Sequence, residues 1–300
     1  MIKGRKVDKL TELRLLQLLQ LSAIVELGKL CEQLGLKYYG IAGTLLGVFR
    51  HSGFIPWDTD ADFGMYREDY EILISKGNDI IDDKFIIQSD YNDRKNKTCF
   101  ARIRIKSTSF VEQKNECNPL FSGFYIDIFP LDNAVSEPSI LSVIHHKVLK
   151  LLIRVKAYRL GKKNSSTKTR SLLARILSGS MIFVPLHFIK SYLNFFMTRH
   201  RNCVADLVTN YNSKYGLRKQ TIAKSVYGKP KYKYFDGVKI PVPEYSEFWL
   251  ERIYGDYASA PKVSSLVLSD LLSGYDIDFG DYKYLLDATE SEARNLLKLP

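Results

Sequence analysis

Cysteine is scarce in this chain. Cys31, Cys99, Cys117 and Cys203 are scattered through 300 residues with no CxxC spacing, which excludes a disulfide framework and a cysteine-built zinc site. A reducing cytoplasm is the simplest compartment for such a chain. Long apolar runs are missing as well. The longest uncharged run between residues 138 and 205, Ile176 to Ile189, has 14 residues and contains Pro185 and His187, short of the roughly 20 a spanning helix needs. Near the N-terminus Lys3, Arg5 and Lys6 precede a run broken by Glu12, Arg14, Gln17 and Gln20, an amphipathic helix rather than a signal peptide. Carboxylates are absent between Glu137 and Asp206, where thirteen Lys or Arg accumulate. The net charge is +11, so the remainder of the chain is close to neutral. A block of that kind points to a negative partner, either nucleic acid or anionic lipid. Nucleic acid is disfavoured, because no helix-turn-helix, zinc or RNA-binding-sheet signature accompanies the block. No repeat or low-complexity tract occurs.

What is present describes a globular protein: 45% hydrophobic and 12% aromatic residues, enough for one large or two modest domains. Residues 8–34 carry an apolar stripe through Leu13, Leu16, Leu19, Ala23, Leu27, Leu30 and Leu34, with Gly35 as the stop. A short strand over 37–42 leads to Gly43-Thr44, with a helix from Leu45 to just before Gly53. A return strand over 54–63 and a helix over 67–75, closed by Gly77, follow. Residues 100–107 alternate, with Ala101, Ile103 and Ile105 opposite Arg102, Arg104 and Lys106, and 124–129 makes another strand. The predicted fold is α/β (α+β), a small mixed-sheet core in 1–135. A basic helical subdomain occupies 136–216, with a helix opened by Ser136 and Pro138 and stopped by Gly161, a polar loop at 162–170, and helices over 171–180 and 185–213. A segment returning to the core fills 217–300, with an Asp236-Gly237 hairpin turn, a helix over 245–254 stopped by Gly255, and a Thr289–Glu292 capping box.

Asp58, Asp60 and Asp62 form the most informative cluster. Residues i and i+2 on a strand share a face, and two carboxylates so placed repel unless a cation or proton intervenes. Oxygen ligation suits Mg²⁺ or Mn²⁺, and with them phosphate chemistry. A solvated Asp-rich turn is the competing reading, but Phe54, Ile55, Trp57, Ala61, Phe63 and Met65 are too apolar for one. Asp127 lies between Ile126 and Ile128 and is costly to bury without a cation or a backbone partner. Gly43 and Thr44, at a helix start, offer backbone N–H groups to a phosphate.

The stretch 39–70 resembles the LicD family of phosphotransferases, which includes the fukutin-like proteins. The words that carry the resemblance are GTLLGVFRHSGFIPWDTDADFGM, REDYE at 67–71, GFYIDIFPLDN at 123–133, FDGVKIPVP at 235–243 and YGDY at 254–257. The resemblance implies a nucleotidyltransferase-like core. It implies transfer of phosphocholine, or a similar phospho-alcohol, from a CDP-linked donor to a cell-surface glycan or its lipid-linked precursor. Asp60, Asp62 and Asp127 are then the metal-binding catalytic carboxylates, holding Mg²⁺ or Mn²⁺. Gly43, Thr44, Arg50, His51, Asp58, Arg102, Arg104 and Lys106 are the substrate-binding candidates. Two readings stand for His51, a phosphate contact or a local cap. Two also stand for the Arg102–Arg104–Lys106 face, a donor site or a solvated strand face, and for Trp57 and Tyr125, a cage for a quaternary ammonium or core packing. His145 and His146 read as ordinary helix residues.

At APKVSSLVLSD (260–270) the chain departs from the family's basic, histidine-containing continuation, so no role is carried over to that segment and a different donor or acceptor group stays open. Phosphoribitol or a phosphosugar also fits the core. Other classes are a nucleotidyltransferase of the toxin or antibiotic-modifying kind and a basic nucleic-acid-binding protein. The enzyme reading implies no nucleic-acid partner. It implies a cytoplasmic location, peripheral on the inner face of the membrane, if Met181, Ile182, Phe183, Phe188, Phe195 and Phe196 dip among headgroups. An ordinary helical core is the alternative for that block.

Overall fold

A computed structural model describes residues 10–112, 118–160, 184–259 and 275–300. Among them, β1 (Tyr39–Gly40), β2 (Asp62–Tyr66), β3 (Phe85–Gln88) and β4 (Ala101–Ile105) belong to one seven-stranded sheet. After β5 (Ser109–Glu112), which lies outside it, the sheet is completed by β6 (Tyr125–Ala134), β7 (Leu207–Thr209) and β8 (Ile222–Ala223). The order is β1-β2-β6-β4-β3, with β7 on the later half of β6 and β8 beyond it. Among the described strands only the β2–β6 pair is parallel, so the sheet is mixed, as the α/β (α+β) reading expects.

Helix α1 (Glu12–Leu34) packs against β4 and β6. Thr11 caps its start, and Gly35 ends it at φ +67°, a left-handed conformation that costs glycine little. The amphipathic reading understates this helix. Leu15 to Leu21 are all buried, Gln17 and Gln20 with them, the pattern of a central helix rather than a surface one.

Other boundaries also move. Helix α2 (Ala42–His51) starts three residues before the expected Leu45, which places Gly43 and Thr44 inside its first turn. The expected strand over 54–63 is a loop until Asp62. Pro56 and the Ile55–Asp58 turn (Asp58 N–H to Ile55 O, 2.8 Å) break it, since proline cannot donate to a ladder. Helix α3 (Arg67–Lys76) follows as expected.

In the basic region α4 spans Ile140–Arg159, capped by Ser139 rather than opened at Ser136. The helix expected over 185–213 is shorter: α5 is Leu186–Thr198. Residues 207–209 pair with β6 instead, and Asn210, Asn212, Ser213 and Gly216 supply turn chemistry after them. The expectations for 161–180, including the Gly161 stop, lie outside the described residues.

Beyond them, β9 (Lys231–Phe235) and β10 (Val238–Val242) form the expected hairpin. Asp236 and Gly237 take φ of +50° and +84°, the signs a type I′ turn requires. β11 (Tyr275–Asp278) pairs with β5. The helix Ser246–Tyr254 ends before Gly255, and Thr289 with Glu292 makes the capping box. Arg14 ties the termini together, bidentate to Asp236 at 3.0 and 2.9 Å and bonded to Glu290 at 2.7 Å.

Two apolar cores result among the described residues. The larger gathers α1, the sheet, the hairpin and the C-terminal helices. The smaller, Leu149, Val155, Ile189, Leu193, Phe196, Met197, Tyr211 and Leu217, holds α4 to α5.

One buried ion pair pins α3 to β6: Arg67 donates from Nε and a terminal nitrogen to the two oxygens of Asp132, at 2.7 and 2.9 Å. Removing one member strands a charge in the interior. Asp132→Ala is expected to lower unfolding free energy by about 3–5 kcal/mol, read from urea denaturation midpoints at constant m.

Candidate active site

Register brings the carboxylates together. Asp62 lies directly opposite Asp127 across the parallel β2–β6 pair, and Asp127 lies opposite Arg102 across the antiparallel β6–β4 pair. Adjacent strands are about 4.8 Å apart, so three charged side chains stand in a row on one face. The other face carries Phe63, Met65, Ile126, Ile128, Ala101 and Ile103, all buried. Asp60, two residues ahead of Asp62, joins the row: ligand oxygens of Asp60, Asp62 and Asp127 lie within 4.8 Å of one another.

The loop that carries Asp58 and Asp60 is held from beneath by the buried glutamines of α1. Gln20 Nε2 donates to Thr59 O at 2.7 Å and to Tyr125 O at 2.9 Å. Gln17 Nε2 donates to Asp58 O at 3.0 Å. The Asp62 N–H donates to Thr44 Oγ1 at 2.7 Å, and the Ile41 N–H to Asp62 O at 3.0 Å. Thr44 therefore fixes β2 rather than facing a ligand with its hydroxyl. A Cβ at Gly43 would sit 2.7 Å from Asp58 Oδ2, so only glycine lets this carboxylate approach the helix start. Ala42 bends the chain there at φ +47°, a costly left-handed value for a residue with a Cβ. Among the described residues no side chain caps α2, which leaves its first-turn N–H groups to serve an anion.

The cluster is electrostatically strained. Burial, then the neighbouring Asp58 carboxylate, pushes Asp60 up to about 7. Burial and the charges of Asp60, Asp127 and Asp58 hold Asp62 well above the usual carboxylate range. Burial raises Asp127 too, against the pull of Arg102, whose Nε donates to its Oδ1 at 2.7 Å. Lys214 counters the shift at Asp58, Asp60 and Asp62. Converging buried carboxylate oxygens of this kind fit a hard divalent cation, which removes the repulsion and replaces lost hydration.

The other candidates separate. Arg102 and Arg104 line a neighbouring hollow of about 170 Å³ with Tyr125, Phe110 and Tyr275. The Arg102 guanidinium lies over the Tyr125 ring at 3.9 Å, so that face is already occupied by a cation. Arg104 is buried and donates to Gln88 Oε1 and Gly123 O. Neither arginine forms the solvated strand face that alternation allowed. Lys106 lies past the end of β4. Arg50 donates to the carbonyls of Tyr257 and Ser259, joining the RH and YGDY words. His51 does not cap α2, since Ser52 occupies that position. Its ring meets Trp57 edge-on at 6.2 Å, and its buried Nδ1 has no hydrogen-bond partner among the described residues. His146, buried, bonds Tyr211 O at 3.1 Å and is structural.

Residues 35–136 match the sequence profile described as LicD/FKTN/FKRP, nucleotidyltransferase domain. This chain carries a LicD-type transferase domain. Over 259 residues it is 28% identical to lipopolysaccharide cholinephosphotransferase LicD of Haemophilus influenzae, covering 85% of this chain and 94% of that protein. A 38-residue stretch is 50% identical to ribitol 5-phosphate transferase FKRP of Homo sapiens and of Mus musculus, 13% of this chain and 8% of those proteins.

Beyond the matched LicD-type domain, the site is completed by residues that sequence reasoning missed. A cavity of about 210 Å³ containing Asp60, Asp62 and Asp127 is closed by Asn210, Asn212, Ser213, Lys214 and Tyr215, together with Phe100, Phe129 and Trp249. Asn, Ser and Gly in TNYNSKYG at 209–216 are turn residues, a signal overridden by reading a helix through them.

Gly43→Ala is expected to keep its melting temperature within a few degrees, because the clash falls on a carboxylate that can swing away. Activity should fall at least about tenfold, as displacement by 1 Å at a reacting centre can cost more. Gln20→Leu is expected to lose about 1–3 kcal/mol, the penalty for stranding the Thr59 and Tyr125 carbonyls, measured by denaturant titration.

Proposed function

We propose that this protein transfers a phospho-alcohol group, phosphocholine or a close analogue, from a CDP-linked donor to a hydroxyl of a cell-surface glycan or its lipid-linked precursor. The observation that carries the reading is the convergence of Asp60, Asp62 and Asp127 beside the uncapped start of α2. The whole-length similarity to a cholinephosphotransferase supports the choice of group.

In this reading Asp60, Asp62 and Asp127 hold Mg²⁺ or Mn²⁺. Such an ion supplies charge neutralisation at the donor phosphates. The first-turn N–H groups of α2 receive a non-bridging phosphate oxygen, and Lys214 lies on the same cavity wall to take another. The acceptor oxygen bonds to phosphorus as the bond to the nucleotide breaks, and CMP leaves. Asp127, steadied by Arg102 at Oδ1, accepts the proton of the acceptor hydroxyl. Phe100, Phe129 and Tyr215 offer aromatic faces to a quaternary ammonium, a role the sequence left open for Trp57 and Tyr125 beside core packing. Ribitol phosphate is the second reading of the transferred group, favoured by the short stretch shared with ribitol 5-phosphate transferases.

Asp60→Ala and Asp62→Ala are each expected to remain folded and to lose about a thousandfold or more in transfer rate, equivalent to ~4 kcal/mol of transition-state stabilisation. Turnover of CDP-choline and CDP-ribitol, with and without EDTA, is the measurement. Activity within a few-fold of wild type in either variant, or an EDTA-insensitive rate, contradicts the metal assignment. Asp127→Asn is expected to fold at least as stably as metal-free wild type while losing transfer. A strong drop in its melting temperature with undiminished Mn²⁺ binding by calorimetry would mark Asp127 as structural.

A further inference from the structure

The helical unit built from α4 and α5 has two faces with different tasks. Its inner face braces the site: His146 bonds Tyr211 O, and Lys150 Nζ donates to Asn212 O at 2.6 Å, holding the loop that closes the carboxylate cavity. Its outer face is apolar and uncovered among the described residues. On α4, Ile140, Leu141, Ile144 and Val148 are 71%, 76%, 52% and 44% exposed, and on α5, Phe188, Tyr192 and Phe195 are 59%, 41% and 68% exposed. Both sets follow helical spacing and so form stripes.

The two helices run antiparallel, since His145 bonds Tyr192 at 2.7 Å near one end while Arg159 bonds Val184 O at 2.6 Å near the other. The two stripes therefore lie side by side. An uncovered apolar patch of this kind marks an interaction surface. Its charged flanks are mainly basic: Lys147, Arg154 and Arg199 are exposed, Glu137 stands at the edge near the start of α4, and no carboxylate occurs between Glu137 and Asp206. Phe196, by contrast, is buried in the small core, so only part of the aromatic set expected at a headgroup layer is available to one.

We propose that this face docks on an anionic phospholipid surface, with Leu141, Ile144 and Phe195 entering the headgroup layer and Lys147, Arg154 and Arg199 contacting lipid phosphates. Apolar area and anionic attraction act together in such docking. Among the described residues no helix is long and apolar enough to cross a membrane, so the contact is interfacial. It would bring the carboxylate cavity, braced from the same unit, close to substrates carried on lipid, and it does not depend on which group is transferred.

Co-sedimentation of the full chain with vesicles of phosphatidylglycerol and phosphatidylcholine in equal parts tests the idea, alongside phosphatidylcholine alone. Expected are binding to the anionic vesicles at low salt, weakening at high salt, and little binding to the neutral ones. Ile144→Asp and Phe195→Asp should each weaken binding by about tenfold or more, Lys147→Glu with Arg199→Glu should weaken it further, and CDP-choline turnover with a water-soluble acceptor should be unchanged. Absent binding, or binding that the variants leave intact, overturns the proposal. So does wild-type self-association abolished by Phe195→Asp, which would make a second copy the occupant. A fall of several degrees in the melting temperature of Ile144→Asp overturns it as well, because the patch would then be covered by the chain itself.

Discussion

Three carboxylates forced together in a half-buried cavity are the constraint around which the rest of this protein is arranged. Left to themselves Asp60, Asp62 and Asp127 repel, and burial removes the water that would screen them, which is why Asp60 and Asp62 hold their protons well above the usual carboxylate range. Their proximity must be enforced by elements strong enough to bear the cost. The parallel β2–β6 ladder enforces it for Asp62 and Asp127. The glutamines of α1 enforce it for the loop carrying Asp60. Placing polar anchors at the centre of the most buried helix is expensive unless each finds a partner, and here the backbone of the Asp loop is that partner.

Around this centre the positive groups are graded. Arg102 is bonded directly to Asp127, and Lys214 acts across the cavity on Asp58, Asp60 and Asp62. Arg50 and Arg104 are committed to backbone carbonyls elsewhere, where they tie segments distant in sequence. The protein thus leaves a net negative hollow beside a helix start that favours anions. That juxtaposition suits a cation and a phosphate together better than either alone.

The basic region serves the same centre from outside. Its small core of Leu149, Leu193 and Phe196 with their neighbours makes α4 and α5 a firm unit. Through Tyr211 and Asn212 that unit sets the loop bearing Lys214. Helices that read as a separate basic unit therefore support the loop that lines the site, and their outer apolar face is what remains once the inner one is used.

The sequence by itself determined the local features whose physics is local. The stop at Gly35, the Asp236-Gly237 turn, the Thr289 capping box, the alternation of Ala101, Ile103 and Ile105, and the Asp60/Asp62 pair were all legible in it, because each depends on neighbours in the chain; Asp127 joined that pair only through the family resemblance. Tertiary structure alone decided what depends on partners far away. Gln17 and Gln20 looked like breaks in an apolar face until the loop 40 residues on supplied their acceptors. Residues 207–209 looked helical until β6 offered a ladder. Arg104 was open to a donor-site or a solvated reading until Gln88 and Gly123 enclosed it. Lys214, 152 positions after Asp62, reaches the cluster only because β7 returns the chain to the sheet, and no local pattern records such a return.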